Sequence, residues 1–167
     1  MEAVIAAEFA DIARRYCEWA EATPTPEDLL IVHRLLAELQ LKALKLPDVW
    51  GEGEYVDVED KRENWEMIRN RLHALPLDFY WKVFDVFADS EEPVFCTLAD
   101  DLGDIYADLK EGLHFFGQGD EDEAIWRWRF GYFTHWGRHL SGAQTALHQY
   151  FSDQGGPLQT LSDQNSS

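Results

Sequence analysis

From Val4 to Ala22, apolar residues recur every three to four positions, with Ile5, Phe9, Ile12, Tyr16 and Ala20 on one face. That period predicts an amphipathic helix. The TPTP stretch ends it, because a proline disfavours helical geometry in the residue before it. Thr25, Pro26 and Asp28 then form the start signal of a second helix, running to about Leu46. Leu29, Leu30, Val32, Leu36, Leu39, Ala43 and Leu44 make that helix apolar on more than one side, so it is expected at the centre of the fold. DVWGEGEYVDVED, from Asp48, breaks every period and is expected to be a loop. A third helix is expected from about Val58 to Ala74, with Trp65, Ile68 and Leu72 inward and Pro76 closing it. LDFYWKVFDVF is expected to be a short aromatic helix plugging the core, and Ala88 to Phe95 a second loop.

Thr97 with Asp100 is a capping pair that opens a helix to about Phe116, ended by Gly117 and Gly119. Asp120 and Glu123 cap a last helix, continuous from Glu121 to about Phe151. The expected fold class is all-α: one bundle domain over residues 1–152, with four to five long helices and the short aromatic segment. A disordered polar tail over 153–167 follows.

Size permits a real core, since a domain of 167 residues buries roughly 70% of its unfolded surface. Aromatic residues make up 14% of the chain, material for a core or equally for a dimer face, so the oligomeric state stays open. Cys17 and Cys96 lie in no CxxC or zinc-type spacing and are expected to be two buried thiols in a cytoplasmic protein. No apolar run reaches the ~20 residues of a membrane span. The formal charge of −18, from 32 acids and 14 bases, disfavours nucleic-acid backbones and anionic membranes. It favours encounter with a basic protein partner.

Two polar stripes stand out. Asp101, Asp104 and Asp108 recur at helical spacing beside the core stripe Leu98, Leu102, Ile105 and Leu109. On the last helix, Tyr132 and His139 flank a stripe of Trp126, Arg129, Phe133, Trp136, Leu140, Ala143 and Leu147, with Trp128 and His135 nearer solvent. A buried arginine requires a carboxylate. Arg129 is therefore expected to pair with Asp101 or Asp108 if the two helices pack antiparallel. The alternative is a metal site. His135 and His139 are one turn apart and can reach one ion, with Asp108 or its neighbours completing a nitrogen and oxygen set suited to a divalent transition metal. Trp136 between them separates this pair from the zinc-protease motif. His73, His114 and His148 are expected at the surface or its boundary. No GxSxG elbow or phosphate-cradling glycine loop is present.

HALPLDFYWKVFD, LADDLGDIYADLKEGL and AIWRWRFGYFTHWGRHLSGAQTALH together resemble an uncharacterised bacterial family of small helical proteins, a domain of unknown function. The resemblance spans the first helix to Tyr150 and implies a helical fold, without an activity to carry over. HWGRHLSGAQ also resembles the last-helix histidine pair of the damage-inducible helical-bundle metalloproteins. That resemblance implies a third histidine from an early helix, at His33, but Gly142 stands where that family has glutamine. DDLGD resembles half of the magnesium site of all-helical nucleotide pyrophosphatases, and Glu63 with Glu66 would be the other half. The residues favour a non-enzymatic acidic protein-binding module, with an immunity or antitoxin role as one version. A metal-dependent helical-bundle enzyme is the alternative.

Overall fold

The computed structural model describes residues 2–53 and 61–154. Among them are six helices: α1 (Glu2–Glu21), α2 (Asp28–Ala43), α3 (Lys61–Leu72), α4 (Leu98–Gly117), α5 (Glu121–Thr134) and α6 (Trp136–Asp153). A hairpin of β1 (Phe79–Lys82) and β2 (Val94–Thr97) interrupts the series between α3 and α4. The fold is an all-α bundle with one small sheet. Of the tail expected to be disordered over 153–167, Asp153 closes α6 and residues 155–167 lie outside the described residues. So do residues 54–60, the side chain of Trp65 and the expected helix start at Val58.

Periodicity located the core face of α1, where Phe9, Ile12, Tyr16 and Ala20 are all buried. Tyr16 shows why a polar tip is tolerated there: its hydroxyl donates to the Leu102 carbonyl at 2.8 Å. Capping logic holds too. Thr97 accepts the Asp100 N–H at 3.0 Å and Asp120 accepts that of Glu123 at 3.2 Å. Gly119 turns the chain after α4 with φ 82°, a left-handed conformation that glycine adopts without strain.

The central helix is α4 rather than α2. Helix α4 packs against α1, α3, α5 and α6. Helix α2 ends at Ala43, earlier than expected, and leaves Ile31, Leu41 and Leu44 exposed. Of the residues that made it apolar on more than one side, Leu44 lies beyond its end and is exposed. An arc rather than a stripe of α4 is buried, and it sweeps in Asp101 at 3% exposure.

Two further expectations are corrected. The LDFYWKVFDVF segment is a strand and turn, not a helix, and β1 pairs antiparallel with β2, which falls where a loop was expected. Alternation explains the strand: Phe79 and Trp81 face out while Tyr80 and Lys82 face in. The last helix is also not continuous. His135 takes φ −141° and ψ −84°, which ends α5 and starts α6. Thr134 Oγ1 turns back to the Phe130 carbonyl at 2.7 Å, and Gly137 lies so close to the Tyr132 carbonyl that a Cβ would clash with it.

That break resets the helical phase. Before it, Trp128 is buried and Phe133 exposed, the reverse of what one uninterrupted helix requires. After it, Trp136, Leu140, Ala143 and Leu147 are buried as the period demands.

Candidate metal centre

Helices α5 and α6 run back along α4, and the break between them delivers His135 to the aspartate stripe. His135 Nδ1 lies 2.6 Å from Asp108 Oδ2. One turn on, His139 Nδ1 lies 2.7 Å from Asp101 Oδ1. The two imidazoles meet edge to face with centroids 4.9 Å apart. A carboxylate on Nδ1 holds the proton there and leaves Nε2 of each ring as the nitrogen with an available lone pair. His139 Nε2 stands 3.5 Å from Asp104 Oδ2. One ligand atom each from Asp104, His135 and His139 lies within 4.8 Å of the other two. Among the described residues this is the group that could hold an ion. Ligand atoms around an ion bound at 2.0–2.2 Å sit about 3–4 Å apart, so closure by roughly 1 Å completes the set.

The carboxylates divide their work by depth. Asp101 is buried and receives three donors: His139, the Tyr80 hydroxyl, and Lys82 Nζ at 3.2 Å. Burial, then the neighbouring Asp101 charge, pushes the Tyr80 phenol far above its ordinary range, so it stays a donor. Burial raises the Asp108 carboxyl too, while the hydrogen bond from His135 works against that rise. Asp108 therefore orients His135, and Asp104 is the carboxylate that groups with the two imidazoles, its Oδ2 3.5 Å from His139 Nε2. The sequence-level set of His135, His139 and Asp108 differs from this geometry in that one residue.

Tyr80 and Lys82 were not anticipated, because their segment was expected to be helical. A signal was available: FYWK and VFCT are runs of aromatic and β-branched residues, which favour strands. Gly142 admits them to α6. A Cβ at that position would meet the Tyr80 hydroxyl and lie 3.1 Å from Lys82 Nζ. The lysine can swing aside, but the tyrosine cannot without leaving Asp101. Gly142→Ala should therefore cost about 1–3 kcal/mol, read as a lower thermal midpoint. An unchanged midpoint would show that the hairpin contact carries no stability.

The arginine expected at this site is elsewhere. Arg129 pairs with Asp48 at 2.9 Å near the surface, so neither Asp101 nor Asp108 compensates it. Tyr132 packs its ring edge-on against Trp136 and Phe133. His33 lies 5.8 Å from Phe151 and beside His148, about 14 Å further along α6 than His139. Burial, with His148 nearby, lowers its pKa. The third-histidine role thus has no geometry behind it. Glu66 is exposed on α3, and the side chain of Glu63 lies outside the described residues. His73 bonds Asp78 at 2.6 Å and His114 meets Gln118 at 3.0 Å, both away from the centre. Cys17 and Cys96 are both free thiols, but only Cys17 is buried; Cys96, on the β2 strand, is half-buried. No helix of the described residues is long and apolar enough to cross a membrane.

No curated protein matches the chain. Among solved structures, the crystal structure of protein BF1032 from Bacteroides fragilis is similar at a TM-score of 0.69 and 24% identity, covering 86% of this chain and 90% of that one. At that identity the likeness concerns the fold alone. The family model for the domain of unknown function DUF5063 matches residues 2–153, and the chain belongs to that family.

Proposed function

We propose that this protein binds a divalent transition metal through Asp104, His135 and His139, with Asp108 and Asp101 as the outer carboxylates that orient the two rings. One observation carries the reading: each imidazole has its Nδ1 held by its own aspartate at 2.6–2.7 Å. Metal-ligating histidines nearly always show that outer partner. An ion pair alone needs one histidine and one acid, whereas here two oriented rings converge on a third carboxylate. Two nitrogens and one oxygen suit zinc, iron or manganese and leave positions for water, which such an ion activates as a Lewis acid. This favours the metal-dependent reading over the acidic binding module as the account of the polar stripes.

The test is metal binding by chelator-treated full-length protein, read by calorimetry with Zn²⁺ and by visible absorption with Co²⁺. One ion per chain is expected, with affinity falling on acidification because the ligands must shed protons. Saturation at 100 times Kd should stabilise the fold by about 2.7 kcal/mol. His139→Ala and Asp104→Asn should each abolish that gain while the helical circular dichroism persists. Asp101→Asn, acting through His139, should weaken binding about 10- to 100-fold. Wild-type protein that takes up neither ion sinks the proposal and leaves two structural His–Asp pairs.

A further inference from the structure

The hairpin has two unlike faces. Its inner face sends Tyr80 and Lys82 to Asp101. Its outer face is aromatic: Phe79 stacks on Phe95 at 5.1 Å, Trp81 tilts against Phe95 at 5.2 Å, and the three are 59%, 67% and 52% exposed. Phe84 and Phe87 are exposed in the turn beyond. At roughly 200 Å² per ring, Phe79, Trp81 and Phe95 leave on the order of 350 Å² of apolar surface open, and Val83, Val86 and Phe87 of the turn add further exposed apolar area. A monomer seldom shows a contiguous patch larger than a few hundred Å². One partner in a stable interface contributes about 800 Å². The sheet has only these two strands among the described residues, so neither outer edge is paired with a further strand there.

We infer that this outer face is the interface between two copies of the chain. Residues opposite one another in the ladder share a face, so Phe79 with Thr97 and Trp81 with Phe95 make up the outer surface, and none of them is charged. Without charge on it, such a surface can meet its own copy about a twofold axis without like charges being brought together there. The acids of the hairpin, Asp85, Asp89, Glu91 and Glu92, all sit in the turn. A basic partner protein would be drawn to that turn and would find no carboxylate on the aromatic face. The face is also preformed. Tyr80 and Lys82 pin it from behind, so docking has little backbone left to order. Two chains of −18 approach each other at a cost that salt screens, and the dimer should tighten as ionic strength rises. Attachment of a basic partner would weaken instead.

Sedimentation equilibrium of the full chain over a range of concentration and salt tests the inference. The expected species has twice the 19.4 kDa chain mass, and its dissociation constant falls with added salt. Trp81→Glu and Phe95→Glu, both exposed and independent of the aspartate centre, should each raise that constant at least tenfold with helical content unchanged. A monomer at every concentration and salt overturns the inference and returns the face to a different partner. A dimer indifferent to both substitutions overturns it as well, because its interface then lies elsewhere. Neither outcome depends on metal.

Discussion

Truncating Asp28 to alanine should destabilise the protein by about 3–5 kcal/mol, the cost of leaving a buried charge without its partner. Asp28 is 2% exposed and accepts from four donors. Its Oδ1 takes Trp19 Nε1 at 3.3 Å and the Thr25 hydroxyl at 3.0 Å, and its Oδ2 takes the Thr25 N–H at 3.2 Å and Arg71 Nη2 at 3.1 Å. Arg71 also donates to the Ala22 carbonyl at 2.7 Å and lies over the Trp19 ring. One carboxylate thus ties the end of α1, the turn into α2 and the last turn of α3. The urea midpoint should fall with its slope unchanged, since the loss is in the native state. Asp28→Ala combined with Arg71→Met should cost clearly less than the two changes added, because the second removes the charge orphaned by the first. Strict additivity would show that the pair is not coupled.

The second large effect belongs to Gly112, where a Cβ would fall inside the Trp128 indole. That ring is fully buried, 4.8 Å from Phe9 and 5.9 Å from Phe116, and donates to the Leu109 carbonyl at 3.3 Å. With neighbours on each side it has nowhere to retreat. Gly112→Ala should cost about 3 kcal/mol, near the top of the range for overpacking. Trp128→Ala should cost about 3–5 kcal/mol by leaving a cavity. Gly112→Ala with Trp128→Leu should be more stable than the sum of its parts predicts, since the smaller side chain vacates the volume the methyl needs. If the single alanine melts with the wild type, α4 and α5 are not packed as closely as the structure has them.

How much of this was legible beforehand differs from element to element. The α1 face, the caps at Thr97 and Asp120, and the α4 stripe are local: neighbours in sequence make the pattern, and the pattern is satisfied by any apolar layer laid against it. The aspartate and histidine stripes were legible for the same reason. Their pairing was not. Assigning Arg129 to Asp101 or Asp108 assumed one phase for residues 121–151, and the break at His135 changed that phase. Thr134 and Gly137 hinted at the break, but neither is strong enough to end a helix without the packing of Trp136 beyond it.

Composition and periodicity determined that this chain is a helical bundle with free thiols and an acid-lined polar edge, because burial and helical period are properties of short segments. Tertiary structure alone decided that α4 is central and that β1 and β2 find each other across residues 83–93. It alone decided that Asp104, rather than Asp108, groups with His135 and His139. Each of these depends on which distant surfaces meet. Apolar faces can pair in several ways with similar energy, and only the complete packing arrangement selects among them.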